Sequence, residues 1–167
     1  THTDITDADY YALRVMNAML GQYSTSLLFQ NVREKNSLCY SIYSSLIAFD
    51  GALGIMTGVE KKDIDTVLRL IDEQIETLRS GRFDDVLLSV SQTMIINSLR
   101  AGDDNMNTMA ALQYQNDLLG RSYTSADIIR LVEQVTREDV IKAAKKLEHK
   151  ATYIVRSEED ADETDHE

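Results

Sequence analysis

Two side chains that can donate hydrogen bonds to a carbonyl group, Arg33 and Tyr40, stand seven positions apart. Between them the residue pattern changes from the spacing of a helix to that of a strand, so the two lie on different elements and can converge on one ligand. A guanidinium and a phenol O–H together suit the carbonyl oxygen, or the developing oxyanion, of a bound peptide. Because arginine stays protonated, it could orient and polarise a substrate but could not act as a base.

Spacing alone leaves an ordinary structural alternative open for both residues. Arg33 would then be a cation near the end of a helix, where the helix dipole favours positive charge. Tyr40 would be a half-buried aromatic residue of a strand. The two interpretations differ in whether these side chains face a shared hollow.

Residues that bind catalytic metals are sparse in this sequence. Histidine occurs at His2, His149 and His166, and none stands one helical turn from a second histidine with a glutamate beside it, as zinc peptidases require. We therefore expect exposed histidines and no cofactor in this chain. Cys39 lies in a strand-like run and is predicted to be a small buried apolar residue rather than a nucleophile. Asp103-Asp104 is interpreted as a polar turn rather than a cation site.

Composition limits the classes of partner. The 167 residues suit one domain with a sizeable core, and the net charge is −11. Seven of the 28 acidic residues lie between Ser157 and Glu167, which leaves 17 basic against 21 acidic residues in the body. The sequence has no basic patch that would predict a nucleic-acid partner. No stretch approaches the ~20 apolar residues of a membrane span. A single cysteine argues for a reducing compartment, so we expect a cytoplasmic protein.

The elements that carry Arg33 and Tyr40 are predicted from periodicity and turn residues. A helix begins after the capping-box-like run Thr6-Asp-Ala-Asp9 and ends at Gly21, and Ser24 caps a second, short helix. A strand follows from Cys39 to Phe49, and Asp50-Gly51 suits a two-residue turn into a partner strand, Ala52–Val59. Alternation places Tyr40, Ile42, Leu46 and Ala48 on one face of the first strand, and Tyr43, Ile47 and Phe49 on the other.

The remainder is predicted to be helical, with a break at Gly102–Asn105 and a final strand at Ala151–Val155. The order α-α-β-β-α-α-α-α-α-β is typical of an α+β fold, with an antiparallel sheet and helices packed on one face. Three strands are few for so many helices. We therefore expect that the fold lacks its first strand, which would precede Thr1, and that the open sheet edge favours a homodimer.

The stretch from Leu28 to Ser41 contains Leu-Phe-x-x-Val-Arg-Glu-Lys-x-x-Leu-x-Tyr-Ser, which resembles a block of the M16 zinc metallopeptidases. Asn36, Ser37 and Cys39 depart from the usual residues of that block, and one glycine stands where the family has a glycine-rich run after its first helix. Further matches keep the family order and extend the resemblance over nearly all of residues 5–156. They are Asp9–Leu13, Met19–Gly21, Gly51–Gly58, Leu78–Phe83 and Val135–Val140.

This resemblance implies a carboxy-terminal, non-catalytic M16 domain at residues 1–156, with an acidic disordered tail at 157–167. In the family, an amino-terminal domain carries His-x-x-Glu-His and binds zinc. The carboxy-terminal domain contributes an arginine and a tyrosine to the peptide-filled cavity between the two domains. Arg33 and Tyr40 match those positions and would bind a peptide substrate near its scissile bond. The similarity is greatest to the bacterial two-domain branch, including paired proteins of Gram-positive bacteria.

The expected partner is therefore an amino-terminal M16 domain or a paired M16 protein, and zinc is expected only in that partner. The chain alone should have no proteolytic activity. Two alternatives stay open from the sequence. One is a non-enzymatic M16-like structural or assembly subunit, and the other is an unrelated α+β ligand-binding domain.

Overall fold

The computed structural model describes residues 1–155, so the predicted acidic tail at 157–167 lies outside the described residues. The predicted α+β class is confirmed, because a helical layer packs against an antiparallel hairpin. Two π-helical turns, at Ala18–Gln22 and Phe29–Glu34, and a 3₁₀ turn at Lys61–Asp63 join the main elements. Those elements are α1 (Tyr10–Asn17), β1 (Cys39–Ile47), β2 (Ala52–Val59), α2 (Ile64–Arg79), α3 (Asp85–Gly102), α4 (Met106–Leu119), α5 (Ser125–Glu133) and α6 (Arg137–Lys145).

Helix α1 lies at the centre of the core, in contact with α3, α5, α6 and β1. All of its residues except Arg14 are buried, which is typical of a helix enclosed on every side. The predicted capping box at its start is wrong. Asp4 instead accepts the Thr6 hydroxyl at 2.6 Å. Asp9, at the N-cap position, accepts a hydrogen bond from Lys146 Nζ at 2.8 Å rather than from the helix.

Gly21 does not end the first helix as predicted, because the chain continues through a π-helical turn to Gln22. A β-carbon at Gly21 would lie 2.7 Å from Ser44 Oγ and 2.8 Å from the Ser44 main-chain nitrogen. Glycine therefore permits the helical layer to approach β1 closely. The approach is stabilised by Ser44 Oγ, which donates to the Asn17 carbonyl at 3.2 Å.

The hairpin turn contains four residues rather than the predicted two, since Ile47 pairs with Ala52. Gly51 has a positive φ of 58°, which suits glycine. Ala48 leaves the hairpin ladder because its carbonyl accepts a hydrogen bond from the Ile5 main-chain nitrogen at 2.9 Å. The Thr1 amino group likewise donates to the Gly51 carbonyl at 2.8 Å, so residues 1–5 lie against the end of the hairpin.

The sheet has two strands among residues 1–155, and the strand predicted at Ala151–Val155 is wrong. These five residues have no ladder partner within the described chain, and a strand exists only where a neighbour supplies the cross-strand hydrogen bonds. Tyr153 is 90% exposed and Val155 is 96% exposed. This segment therefore keeps the composition of a strand without its pairing.

The helices from α3 onward begin at polar N-cap residues. The break between α3 and α4 at Gly102–Asn105 is confirmed, with Asn105 capping α4. Thr124 and Thr136 begin α5 and α6 with complete capping boxes. In each box the threonine hydroxyl accepts from the main-chain N–H of the aspartate three residues later, and the aspartate carboxylate accepts from the main-chain N–H of the threonine. Arg79 joins α2 to the end of α6 by donating to the Leu147 carbonyl at 2.6 Å.

Candidate functional site

Arg33 lies on the π-helical turn Phe29–Glu34, near its end. Its guanidinium carbon stands 4.5 Å from the centre of the Phe29 ring, a distance typical of a cation–π contact. Nη1 also lies 3.5 Å from Glu34 Oε1, and the side chain is 36% exposed. Stacking on Phe29 limits the conformations of the guanidinium, while part of its fork of N–H donors stays available to a ligand.

The turn that carries Arg33 is attached to the core by its buried residues and by a hydrogen bond to α2. Leu28 and Val32 are fully buried one helical turn apart, as their spacing predicts. Asn31 donates to Gln74 Oε1 of α2 at 2.7 Å, which ties the turn to the neighbouring helix. The backbone of Arg33 is therefore fixed by packing and by a polar contact, although its side chain reaches the surface.

Tyr40 lies at a β-bulge near the start of β1. Cys39 pairs with Val59 and Ile42 pairs with Thr57, so Tyr40 and Ser41 together oppose one residue of β2. The bulge breaks the alternation on which the prediction relied. Tyr40 therefore does not share the buried face of Ile42, as predicted, but is 89% exposed. Its hydroxyl has no hydrogen-bond partner among residues 1–155.

The connection between the two candidate residues is short and irregular. Ser37 has a positive φ of 52°, and its main-chain nitrogen donates to the Arg33 carbonyl at 2.9 Å. This tight turn brings the chain directly from the helical segment into β1. Both side chains reach solvent, but no contact joins Arg33 to Tyr40 in the described part of the chain. That both side chains bind the same peptide stays a prediction.

The residues that could bind a metal are dispersed. Among residues 1–155 no three His, Cys, Asp or Glu side chains form a group that could hold an ion. His2 contacts Glu148 at 3.0 Å, His149 contacts Thr152 Oγ1 at 2.8 Å, and His166 lies outside the described residues. Cys39 is a free thiol that is half-buried against the core, rather than fully buried as predicted.

Sequence reasoning missed a cleft of about 430 Å³ that is walled by α1, β1, α3, α4 and α5. Arg14 and Arg121 both line it, and no acidic residue does so among the described residues, although the protein carries a net charge of −11. Arg14 could have indicated the cleft from the sequence, because it is the one charged residue in the apolar run of α1. Arg33 and Tyr40 do not line this cleft.

The walls of the cleft hold phenols and unpaired polar atoms. Burial raises the pKa of the Tyr10 and Tyr11 phenols above the usual value, and the positive charges of Arg14 and Arg121 partly offset that rise. Asn17 Oδ1 and Arg121 Nε are buried and lack a hydrogen-bond partner within residues 1–155. Both atoms belong to residues that line the cleft, but they lie behind its surface rather than facing its solvent.

The segment that contains α1, the β1–β2 hairpin and α2 matches the model of a known protein family. The family model described as "Peptidase M16 inactive domain" matches residues 2–95. This match covers more than half of the chain, so the chain belongs to the M16 peptidase family, as its inactive domain.

Relatives of known sequence support the same assignment. The chain is 34% identical over 161 residues to the "Probable inactive metalloprotease YmfF" of Bacillus subtilis, a match over 96% of this chain and 38% of that protein. It is 31% identical over 140 residues to the "Uncharacterized zinc protease YmxG" of the same organism, over 82% of this chain and 34% of that protein. The chain thus spans about a third of the length of these relatives.

Solved structures share the fold. A conserved protein from Enterococcus faecalis aligns with a TM-score of 0.82 and 31% identity, over 86% of this chain and 34% of that one. A peptidase M16 inactive domain from Pseudomonas fluorescens aligns with a TM-score of 0.72 and 21% identity, over 87% of this chain and 36% of that one. Of the helices within residues 1–155, none has the length and apolar character needed to cross a bilayer.

Proposed function

We propose that this domain forms one wall of a peptide-binding chamber and that Arg33 and Tyr40 bind the peptide. The observation that carries the proposal is the position of Arg33. Its backbone is anchored by the buried Val32, its guanidinium is stacked on Phe29, and its side chain is still 36% exposed. A preorganised cation that reaches solvent from a fixed backbone suits the carbonyl oxygen of an extended peptide.

The opposite wall would be an amino-terminal M16 domain of the same protein or a paired M16 protein. Zinc, where the assembly is active, would be held by that partner, because the described residues of this chain group no set of metal ligands. The metal would supply an activated water at the peptide carbonyl. This domain would contribute binding and orientation, and Arg33 would stabilise negative charge on the carbonyl oxygen.

Replacing Arg33 by alanine in the reconstituted full-length protein tests this role. Loss of one preorganised donor to a developing oxyanion lowers kcat by roughly 10²-fold. We expect a loss of that order in peptide turnover, measured as kcat/KM with a fluorogenic peptide. Tyr40→Phe, which removes only the hydroxyl, should have a smaller effect in the same direction.

Lys35→Ala is the matched control for Arg33→Ala. Lys35 is a neighbouring cation, and its ammonium is bound to Asn31 Oδ1 at 2.8 Å on the outside of the same turn. Turnover that falls equally in Lys35→Ala and Arg33→Ala would show that general positive charge, and not the position of Arg33, is what matters. Unchanged turnover in Arg33→Ala would overturn the proposal.

A second candidate function is a non-enzymatic structural or assembly subunit. The relative with 34% identity carries the name "Probable inactive metalloprotease", which favours this possibility. If the assembly is non-enzymatic, the full-length protein should bind its partner equally well with and without the Arg33→Ala change, and it should show no chelator-sensitive turnover. We place either assembly in the cytoplasm because the described chain has a single free cysteine.

A further inference from the structure

The outer face of the β1–β2 hairpin, which lies opposite the helical layer, carries large apolar side chains. Ile42 and Leu46 of β1 pack against the core, so the residues that alternate with them lie on the outer face. Tyr43 and Ile47 are 47% and 54% exposed there, and Met56, which pairs with Tyr43, is 44% exposed. Antiparallel sheets that face water usually have polar outer residues. In this hairpin the large side chains of both faces are apolar.

Charged residues are absent from both strands of the hairpin. Neither Cys39–Ile47 nor Ala52–Val59 contains one, although 27% of the residues in the chain are charged. The Tyr43 hydroxyl donates to Met56 Sδ at 3.3 Å, so the phenol and the thioether lie together on the outer face. An exposed apolar surface of this kind is typical of a binding site, and its lack of charge suits an apolar ligand.

A shallow depression separates the apolar side chains of this face. Ser45 pairs with Gly54, between the Tyr43–Met56 pair and Ile47. A β-carbon added at Gly54 would have no atom within 4 Å among residues 1–155, so the space above this glycine is open. Tyr43 and Ile47 stand four positions apart, which is about 13 Å along the strand. That interval leaves room for one large side chain of a ligand.

The size of the outer face suits a peptide better than a folded protein. The ladder at Ile42–Ile47 is about 20 Å long, and two strands about 4.8 Å apart give it a width of about 10 Å. Its area is therefore roughly 200 Å², against about 800 Å² that each partner buries in a stable protein–protein interface. An extended peptide of about six residues has the same length of about 20 Å. The face therefore matches a short extended segment and is too small for a second copy of this chain.

We propose that the depression above Gly54 binds a large aromatic or aliphatic side chain of the peptide that Arg33 and Tyr40 hold. This inference rests on the proposed function, because it concerns the same bound peptide. Ser45 follows Tyr40 by five positions on β1, a distance of about 13–16 Å when the bulge is allowed for. An extended peptide covers this distance in about four or five residues. The preferred apolar residue is therefore four or five positions from the residue that contacts Tyr40.

The preference for an apolar residue follows from desolvation. A phenylalanine in the depression removes apolar area from water on its own ring and on Tyr43, Ile47 and Met56, which favours binding by about tenfold. A lysine or glutamate at the same position would lose part of its hydration, and neither strand offers an opposite charge. The outer face thus selects peptides by their side chains, whereas Arg33 is directed at the main-chain carbonyl.

Peptide binding to the full-length protein, measured by fluorescence anisotropy, tests the inference without requiring turnover. The probes are labelled decapeptide mixtures in which phenylalanine, lysine or glutamate is fixed at one position at a time. We expect one or two adjacent positions at which the phenylalanine mixture binds about tenfold more tightly than the other two. Equal binding of the three mixtures at every position, or no binding of any mixture, overturns the inference.

Met56→Lys places a positive charge beside the depression and should change the sign of the preference. At the selected positions phenylalanine should lose its advantage, and glutamate should bind about threefold more tightly than lysine. Val86→Lys is the matched control, because Val86 is an apolar residue of α3, 65% exposed and outside the hairpin, and the preference should stay as in the parent. A preference that survives in Met56→Lys, or that both variants lose equally, overturns the inference.

Arg33→Ala separates this inference from the proposed function. It should weaken the binding of every mixture by the same factor and keep the preference for phenylalanine. If Arg33→Ala has no effect while Met56→Lys removes the preference, the role of Arg33 is wrong and the apolar site stands. The reverse result overturns the apolar site alone. Sedimentation of the full-length protein is the last arm: an assembly that Met56→Lys weakens, with the peptide preference unchanged, assigns the face to a protein partner and overturns the inference.

Discussion

At the scale of a single residue, Gly21 lets the helical layer pack closely against the hairpin. Its backbone has an ordinary conformation, so the requirement for glycine comes from space rather than from φ. Main-chain and side-chain atoms of Ser44 and the Leu28 side chain all lie within 2.9 Å of the position that a β-carbon would take. The main-chain nitrogen among them cannot move aside without shifting β1.

Gly21→Ala is expected to lower the free energy of unfolding by about 1–3 kcal/mol, the usual cost of overpacking a core. Urea unfolding followed by circular dichroism measures the change. Gly54→Ala is the matched control, because a β-carbon at Gly54 has nothing within 4 Å. The explanation from close approach is wrong if both variants unfold at the same urea concentration.

Residue-scale prediction from sequence succeeded where local spacing decides the outcome. Leu28 and Val32 are buried one turn apart, and Ile42 and Leu46 face the core while Tyr43 and Ile47 are exposed. Tyr40 departs from this pattern because the bulge depends on the register of β2, which is a property of the pair and not of β1 alone. Arg121 was missed for a similar reason, since only the fold brings it near Asn17.

At the scale of elements, the capping boxes of α5 and α6 connect stability to pH. The Thr136 hydroxyl and main-chain N–H both donate to Asp139, and these bonds hold the pKa of its carboxyl below the usual value of 3.8. Because the folded pKa is lower than the unfolded pKa, the aspartate stabilises the fold above the unfolded value. That contribution is lost as the pH falls through the folded value.

Asp139→Asn is therefore expected to lower the free energy of unfolding at neutral pH by about 1 kcal/mol, a typical loss for a helix cap. The difference from the parent protein should shrink below about pH 4, where Asp139 of the unfolded chain becomes protonated, and it should vanish once the pH falls below the lower pKa of the folded carboxyl. Urea unfolding at a series of pH values measures both effects. Thr136→Ser preserves the hydroxyl and should change the pH dependence little. A difference that stays constant down to about pH 2 would contradict the assignment.

Helices were predicted from sequence more accurately than strands, for a physical reason. The caps of α3, α4, α5 and α6 are local signals, written in the residues that form them. Ala151–Val155 has the composition of a strand, but a ladder needs a neighbour and composition cannot supply one. The hairpin turn was misjudged because residues 1–5, distant in sequence, bond to Ala48 and Gly51.

On the scale of the whole molecule, Arg137 joins α6 to the link between α2 and α3. Its guanidinium donates to the Gly81 carbonyl at 2.7 Å, pairs with Asp85 and stands 4.4 Å from the centre of the Phe83 ring. Planar donors spread over several partners are a property of arginine that lysine lacks. Two segments distant in sequence, residues 81–85 and the start of α6, are therefore joined by one side chain.

Arg137→Lys keeps the charge and should still lower the free energy of unfolding by about 1–3 kcal/mol, through lost hydrogen bonds to buried or half-buried carbonyls. Thermal or urea unfolding measures this loss. Arg69→Lys is the control, because Arg69 forms an exposed pair with Glu73 one turn away and should cost less than about 0.5 kcal/mol. Equal, small effects in both variants would show that Arg137 contributes only surface charge.

The contacts of His2 with Glu148 and of Lys146 with Thr3 and Asp9 have a topological consequence. They hold residues 2–9 beside residues 146–148, so two segments far apart in sequence lie next to each other. Chain segments that are close in space can be joined by a short linker, and the chain can then be opened in a surface loop elsewhere. A short spacer that joins residues 2–9 to residues 146–148, with a chain break opened at the bend of Gly102–Asn105, should therefore leave the contacts between the described elements intact.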